Sequence, residues 1–206
     1  RSVYLYSTEK VFIADVKALT NVKWNEGKAE GILPLEVSLG YSELTGSTIK
    51  EKQSTIDKKE FTVAYKICRL EGSADNGKAG KLIEKGKIPC SLDIRNTLAA
   101  AAKEIVIKKP ELWSSENPAL YIVTVSLYQG SRHIESSALT LGFKSVEIKE
   151  RKLLLNKKKV YIHGVNRHEH NEATAKTLTT EEMVQEVKLL KNFNFNAVRT
   201  CHYPDD

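Results

Sequence analysis

Cysteine is scarce in this chain and badly spaced for a metal site. Cys68, Cys90 and Cys201 are odd in number and far apart, and no C-x-x-C pair exists, which argues against a structural zinc site. They read as free thiols, with a single disulfide as the alternative. Long apolar runs are lacking too: none approaches the roughly 18 residues that a membrane helix needs. The chain opens on Arg1 with no basic-then-apolar leader, so no secretory signal is expected. Concentrated positive charge is also missing. The net charge of +6 comes mostly from lysines scattered between apolar residues, a pattern that keeps sheets soluble rather than one that grips nucleic acid.

What is present is strand pattern, then a change of pattern. A chain of 206 residues with 41% apolar content has enough material for one large domain, or a domain with an appendage. Apolar residues recur with strand character at residues 11–16, 32–39, 61–67, 105–107, 121–128 and 137–143. Clusters of Gly, Ser, Asn and Asp punctuate them, at residues 72–77 and at Gln129-Gly130-Ser131. Many short strands divided by turn signals predict an antiparallel β-sandwich of seven or more strands. The Ala99-Ala100-Ala101-Ala102 run favours helix by propensity but is too short to hold one, and is read as a loop or strand approach. Trp113 is expected to be largely buried near the end of the sandwich.

After Glu150 the period changes. Leu153-Leu154-Leu155 and Val160-Tyr161-Ile162 flank Asn156-Lys157-Lys158, which reads as a hairpin turn. Thr179 and Glu182 have the spacing of a capping box. Behind them Met183, Val184, Val187, Leu190 and then Phe193 make one apolar stripe of a helix, ended by Asn194 or Asn196. Ala197-Val198 starts another strand. Strand, helix, strand in this span predicts a βαβ unit, with functional groups at the carboxyl ends of its parallel strands. Two dense polar runs fall there: Gly164 to His170, and Arg199-Thr200-Cys201-His202-Tyr203-Pro204. On this reading Asn166, Arg167 and His168 follow one strand, Arg199 and His202 follow the next, and all share one mouth. His168 and His170 stand two apart, unlike the i, i+4 pair of H-E-x-x-H enzymes, so no metal site is assigned to them.

Those two runs, together with Asn194-Phe195-Asn196-Ala197-Val198, resemble the start of the catalytic barrel of glycoside hydrolase family 2, and most closely its bacterial β-galactosidases. Pro110-Glu111-Leu112-Trp113-Ser114 and Asn117-Pro118-Ala119-Leu120-Tyr121 resemble the signature near the end of that family's immunoglobulin-like domain. Leu141-Gly142-Phe143-Lys144 is similar to the domain's exit, and Arg1-Ser2-Val3 to the end of a preceding jelly roll. The resemblance implies an immunoglobulin-like sandwich over residues 1–148, then residues 149–206 as the opening βαβ unit of a TIM barrel.

It also implies cleavage of terminal β-D-galactosides with retention. His202 would contact the sugar near the scissile bond, and Arg199 would support the base of the pocket. Asn166, Arg167 and His168 would lie at the rim or just beneath it. Retaining chemistry needs two carboxylates roughly 5–5.5 Å apart. No residue of this chain matches them, so the isolated chain is expected to be inactive. Asn25-Glu26 and Asn171-Glu172 are read as surface or loop residues. Full-length members commonly use Mg2+ and Na+, but no cofactor is expected in this chain. A homo-oligomer is implied at full length, with no nucleic-acid or membrane partner. A cytoplasmic location is favoured slightly over a periplasmic one. The alternatives are a β-glucuronidase or β-mannosidase of the same family, or a non-catalytic immunoglobulin-like binding module. His170 leans toward galactosidase, because the glucuronidase pattern usually carries an acidic residue there.

Overall fold

The computed structural model describes residues 3, 5–41, 61–72, 77–90 and 98–203. Residues 73–76 of the turn-rich cluster, the Arg1-Ser2 opening, Pro204 and the Cys90 side chain lie outside the described residues. The chain divides into two units between Ser145 and Val146, whereas the sequence reading sets the boundary at 148.

Period-two alternation builds the first unit. Its strands are β1 (Val11–Ala18), β2 (Asn21–Asn25), β3 (Lys28–Tyr41), β4 (Phe61–Glu71), β5 (Lys78–Cys90), β6 (Leu98–Lys108), β7 (Tyr121–Gln129) and β8 (Arg132–Leu141). In β4, Phe61, Val63, Tyr65 and Ile67 are buried, while between them Thr62 and Ala64 are half-buried and Lys66 is exposed. Tyr121, Val123, Val125 and Leu127 repeat the pattern in β7. From the other sheet Leu33, Leu35, Val37 and Leu39 of β3 join the same core, each fully buried. Side chains of this size contribute about 1.5–3 kcal/mol each when removed from water, so these faces dominate the stability of the unit.

The described strands of this unit pair antiparallel, and one isolated parallel bridge joins Leu112 to Phe143. One sheet runs β5-β4-β7-β8, and in the other β3 is the spine, with β6 along one side and β1 and β2 sharing the opposite side. This is the expected sandwich, with two strands that the sequence reading missed. β2 alternates cleanly but over only five residues, too short a run to stand out, and β5 interleaves Lys and Gly with its apolar residues, which blurs its period. The Ala99–Ala102 run is likewise corrected: it belongs to β6, which pairs with β3 from Leu98 to Lys108. Tertiary pairing overrides the helix propensity of alanine here.

Phe143, just past β8, locks the sandwich. Its ring is fully buried, meets Tyr121 edge-on at 5.2 Å, and lies over Gly31 of β3. A Cβ at Gly31 would stand 2.6 Å from that ring, so only glycine leaves the seat open. The Phe143 carbonyl accepts from the Trp113 amide at 2.9 Å. The two sequence motifs around Trp113 and Phe143 are therefore one structural knot. Trp113 is largely but not fully buried, as expected, and Lys144 covers its ring from the solvent side with Nζ 4.4 Å from the centroid.

Glu111 ties the same corner. Its carboxylate pairs with Arg69 and accepts from Asn117 Nδ2 at 3.0 Å, while its backbone amide donates to the Tyr121 hydroxyl at 2.8 Å. The hydrogen bond from Arg69, with a second from Asn117, holds the carboxyl at about 2, well below the usual range.

From Val146 a smaller unit begins with a meander of β9 (Val146–Lys149), β10 (Lys152–Leu155) and β11 (Lys158–Lys159). Both of its two-residue turns, Glu150-Arg151 and Asn156-Lys157, hold positive φ at both positions, as tight antiparallel turns require. The expected hairpin exists, but its return strand is Lys158–Lys159. Val160, Tyr161 and Ile162 are not in a strand.

Phe143→Ala is expected to cost about 3–5 kcal/mol in urea unfolding of the sandwich, the usual penalty for emptying a buried phenylalanine site. Glu111→Gln tests the acid corner. A carboxyl with a depressed pKa stabilises the fold above its unfolded value and loses that contribution as pH falls through its folded value. Because the Glu111 side chain is 45% exposed, the stability gap at pH 7 is expected to be no more than about 1 kcal/mol. That gap should shrink between the usual carboxylate range and about 2, the folded value, as followed by thermal unfolding at stepped pH.

Candidate functional site

Two short parallel strands and one helix build the site. β12 (Gly164–Arg167) pairs with β13 (Ala197–Thr200) in parallel register, setting Asn166 beside Arg199 and Arg167 beside Thr200. Asn166, Arg167 and Arg199 thus lie in the strands, not after them as the sequence reading held. Between the strands runs α1 (Thr180–Asn192). The Thr179 hydroxyl accepts from the Glu182 amide, and the Glu182 carboxylate accepts from the Thr179 amide at 2.7 Å, which is the predicted capping box.

Asn194 ends the helix at positive φ. Its amide donates to the Lys191 carbonyl and the Phe195 amide to the Leu190 carbonyl, a Schellman arrangement. Asn196 has another task. Its Oδ1 accepts from the His163 amide at 2.9 Å and its Nδ2 donates to the Tyr161 carbonyl at 2.8 Å, lacing the entrances of the two strands together. Asn171 is a turn residue, as expected: its Oδ1 accepts from the amides of Ala173 and Thr174, and its Nδ2 donates to Glu182.

No residue of α1 is buried. Met183, Glu186 and Leu190 are half-buried, but Val184 and Val187 are exposed, as is Phe193. The predicted stripe is therefore only partly covered, because an apolar face more than 100° wide cannot be hidden by two strands.

The strand pleat sorts the site residues. Arg167 lies on the helix-facing side, where Nε and Nη2 both donate to Glu186 Oε2 at 2.8 and 2.6 Å. Its side chain is only 12% exposed. The structure therefore places Arg167 in a forked ion pair between sheet and helix. Asn166 and Arg199 sit on the opposite face, with Arg199 Nη1 at 3.4 Å from Asn166 Oδ1. A cavity of about 310 Å3 opens there, lined by Ile162, Gly164, Asn166, Ala197 and Arg199 among others.

One step beyond the strands, His168 and His202 come together, ring centroids 5.4 Å apart and nearly perpendicular, both exposed. Cys201 lies with them and is buried, its amide donating to the Arg167 carbonyl and its Sγ accepting from Arg199 Nη1 at 3.0 Å. The structure thus gathers Asn166, His168, Arg199 and His202, and adds Cys201, which carries no role in the sequence reading. A cysteine outside any ligand motif carries no signal by itself. Its neighbours appear only once the strands are in register. A larger concavity of about 630 Å3 lies on the β4–β5–β7 face, lined by Thr62, Lys66, Lys85, Thr124 and Tyr128 among others. It gathers no imidazole, thiol or carboxylate, so size and chemistry disagree here, and the histidine mouth is the better candidate.

Comparison with known proteins places this geometry. The family model "Glycosyl hydrolases family 2" matches residues 11–144, and "Glycosyl hydrolases family 2, TIM barrel domain" matches residues 146–206. The chain belongs to glycosyl hydrolase family 2. A β-galactosidase of Streptococcus thermophilus is 30% identical over 205 residues, covering 100% of this chain and 17% of that protein. One from Photobacterium profundum is 47% identical over 100 residues, 48% of this chain and 10% of its own length. The chain thus spans a small part of these family 2 relatives.

Among solved structures, a putative β-galactosidase from Bacteroides fragilis superposes with TM-score 0.76 at 20% identity, covering 97% of this chain and 27% of that one. A Parabacteroides merdae β-glucuronidase gives 0.72 at 21%, covering 95% and 22%. These agree on fold: a family 2 β-sandwich followed by the start of a TIM barrel. In that barrel, side chains at carboxyl ends of strands are the ones that meet substrate.

Removing the forked ion pair should loosen the βαβ unit. Glu186→Gln is expected to cost about 1.5–3 kcal/mol, the range for hydrogen bonds to charged groups, since a neutral amide replaces the carboxylate that accepts both Arg167 hydrogen bonds. Hydrogen exchange of the β12 and β13 amides reads the loss directly and should accelerate there, with the sandwich strands unaffected.

Proposed function

We propose that the polypeptide carrying this chain hydrolyses terminal β-D-galactosides with retention of anomeric configuration, and that His202 and Arg199 contribute to its sugar pocket. The observation that carries the reading is the shared mouth: two exposed imidazoles 5.4 Å apart, beside the Asn166–Arg199 pair, at the carboxyl ends of adjacent parallel strands. Imidazole, amide and guanidinium groups together offer the donors and acceptors that sugar hydroxyls need. They could tighten as the ring flattens toward an oxocarbenium-like transition state. The substrate class rests on the relatives named β-galactosidase, one of which aligns along the whole chain.

His168 joins His202 at the mouth in this reading, with Asn166 positioning Arg199. Arg167 acts from beneath, holding β12 to the helix. The nucleophile and the acid/base are assigned to no residue of this chain. Nor are Mg2+ and Na+, the ions that the family resemblance implies. The mouth offers imidazoles and a thiol, whereas those hard cations prefer oxygen ligands.

A β-glucuronidase is the second reading, favoured by neighbours such as the Parabacteroides merdae enzyme. A glucuronide adds a carboxylate, and Arg199 would be its natural partner.

Three measurements test these readings. The purified 206-residue chain is expected to leave a chromogenic galactoside unhydrolysed, and turnover above blank would refute the assignment of the carboxylates elsewhere. In the polypeptide carrying it, His202→Ala is expected to lower kcat/KM on that galactoside by about 10²–10³-fold, as for loss of one preorganised donor. An unchanged kcat/KM would make His202 scaffolding. A preference for glucuronide over galactoside would favour the second reading.

A further inference from the structure

His168, Cys201 and His202 are brought together by the register of β12 against β13, and their combined chemistry exceeds what sugar binding asks for. One ligand atom from each, two imidazole nitrogens and a sulfur, lies within 4.8 Å of the other two. Around tetrahedral zinc, with Zn–S about 2.3 Å and Zn–N about 2.0–2.1 Å, such atoms stand roughly 3.3–3.6 Å apart. Small rotations of the two exposed rings toward the sulfur would close the difference.

We propose that these three residues form a binding site for a borderline-soft divalent cation of the Zn2+ class. A thiolate with two imidazoles selects zinc-like ions over Mg2+ and Ca2+, which take oxygen ligands. Cys201 supplies the anchored ligand: it is 1% exposed, and its backbone amide extends the strand ladder to the Arg167 carbonyl at 2.9 Å. Both histidines are exposed, so the ion enters from solvent, and a fourth position stays open to water. Arg199 Nη1, 3.0 Å from the sulfur, donates to it and orients it from the side. Its positive charge opposes the cation in part, while the bound thiolate neutralises one unit of charge. Binding releases the Cys201 thiol proton to solvent, with no redox change. The inference stands on the side-chain cluster alone, not on the glycosidase reading, so the failure of one leaves the other standing.

The test uses the 206-residue chain and Co2+ as a coloured stand-in, followed by displacement with Zn2+. One equivalent of Co2+ is expected to give a thiolate-to-cobalt charge-transfer band, with visible ligand-field absorption of tetrahedral strength, and Zn2+ should abolish both. Cys201→Ser should remove the charge-transfer band and weaken Zn2+ binding at least tenfold to a hundredfold, measured by calorimetry. Cys68→Ser and His170→Ala should change neither. Because Cys201 is buried, His168→Gln and His202→Gln provide surface variants whose folding does not depend on the core; each is expected to weaken Zn2+ binding at least tenfold. Absence of the band in the unsubstituted chain, its survival in Cys201→Ser, or unaltered affinity in both histidine variants would overturn the site.

Discussion

The register of two four-residue strands decides what the smaller unit can do. Gly164 meets Ala197 so closely that a Cβ at Gly164 would stand 3.0 Å from the Ala197 carbonyl oxygen. From that fixed start, every later pair follows: Asn166 beside Arg199 on the open face, Arg167 beside Thr200 facing the helix, and His168 near His202 beyond the ends. A slip of one residue would turn Arg167 into the mouth and Asn166 toward the helix, because strand side chains alternate. Four backbone pairs are a weak specification by themselves. The register is enforced from outside the ladder, by Asn196 at the entrance and by the Arg167–Glu186 fork beneath.

The sandwich solves a different problem with different means. Its strands are long, its inner faces interleave large apolar side chains, and its corner is closed by Phe143 over Gly31 and by Glu111 against Arg69. Charged residues there fasten a turn rather than perform chemistry. The acidity of Glu111 is thus a property of architecture, and a strongly shifted carboxyl is no guide to the candidate site in this molecule.

Burial explains which parts the sequence disclosed. Central strands such as β4 and β7 are buried on one face along most of their length, so their alternation is written into residue type. β5 lies at a sheet edge and carries Lys81, Lys85 and Lys87 among its apolar residues, which blurs the period. The helix was legible from its capping box, since that motif is local. The strand before it was placed too early, on Val160-Tyr161-Ile162, because an apolar run reads as strand whether or not it finds a partner. For the mouth, the sequence disclosed which polar residues cluster, but not their sorting. The faces of Arg167 and Asn166 depend on the true strand limits, and the nearness of Cys201 to both histidines depends on pairing across the helix.

Asn196 shows how narrow the choice of residue can be at one unremarkable position. Its side chain must accept from one backbone amide and donate to one backbone carbonyl at once. Aspartate has the same shape, but an ionised carboxylate donates nothing and would set its charge against the Tyr161 carbonyl. Leucine fills similar space and satisfies neither group. Glutamine has the right chemistry on a stem one carbon too long. Spontaneous hydrolysis of that amide to an acid would therefore be more than a surface blemish. It would unfasten the entrances of both strands with time, giving this unit a chemical ageing route.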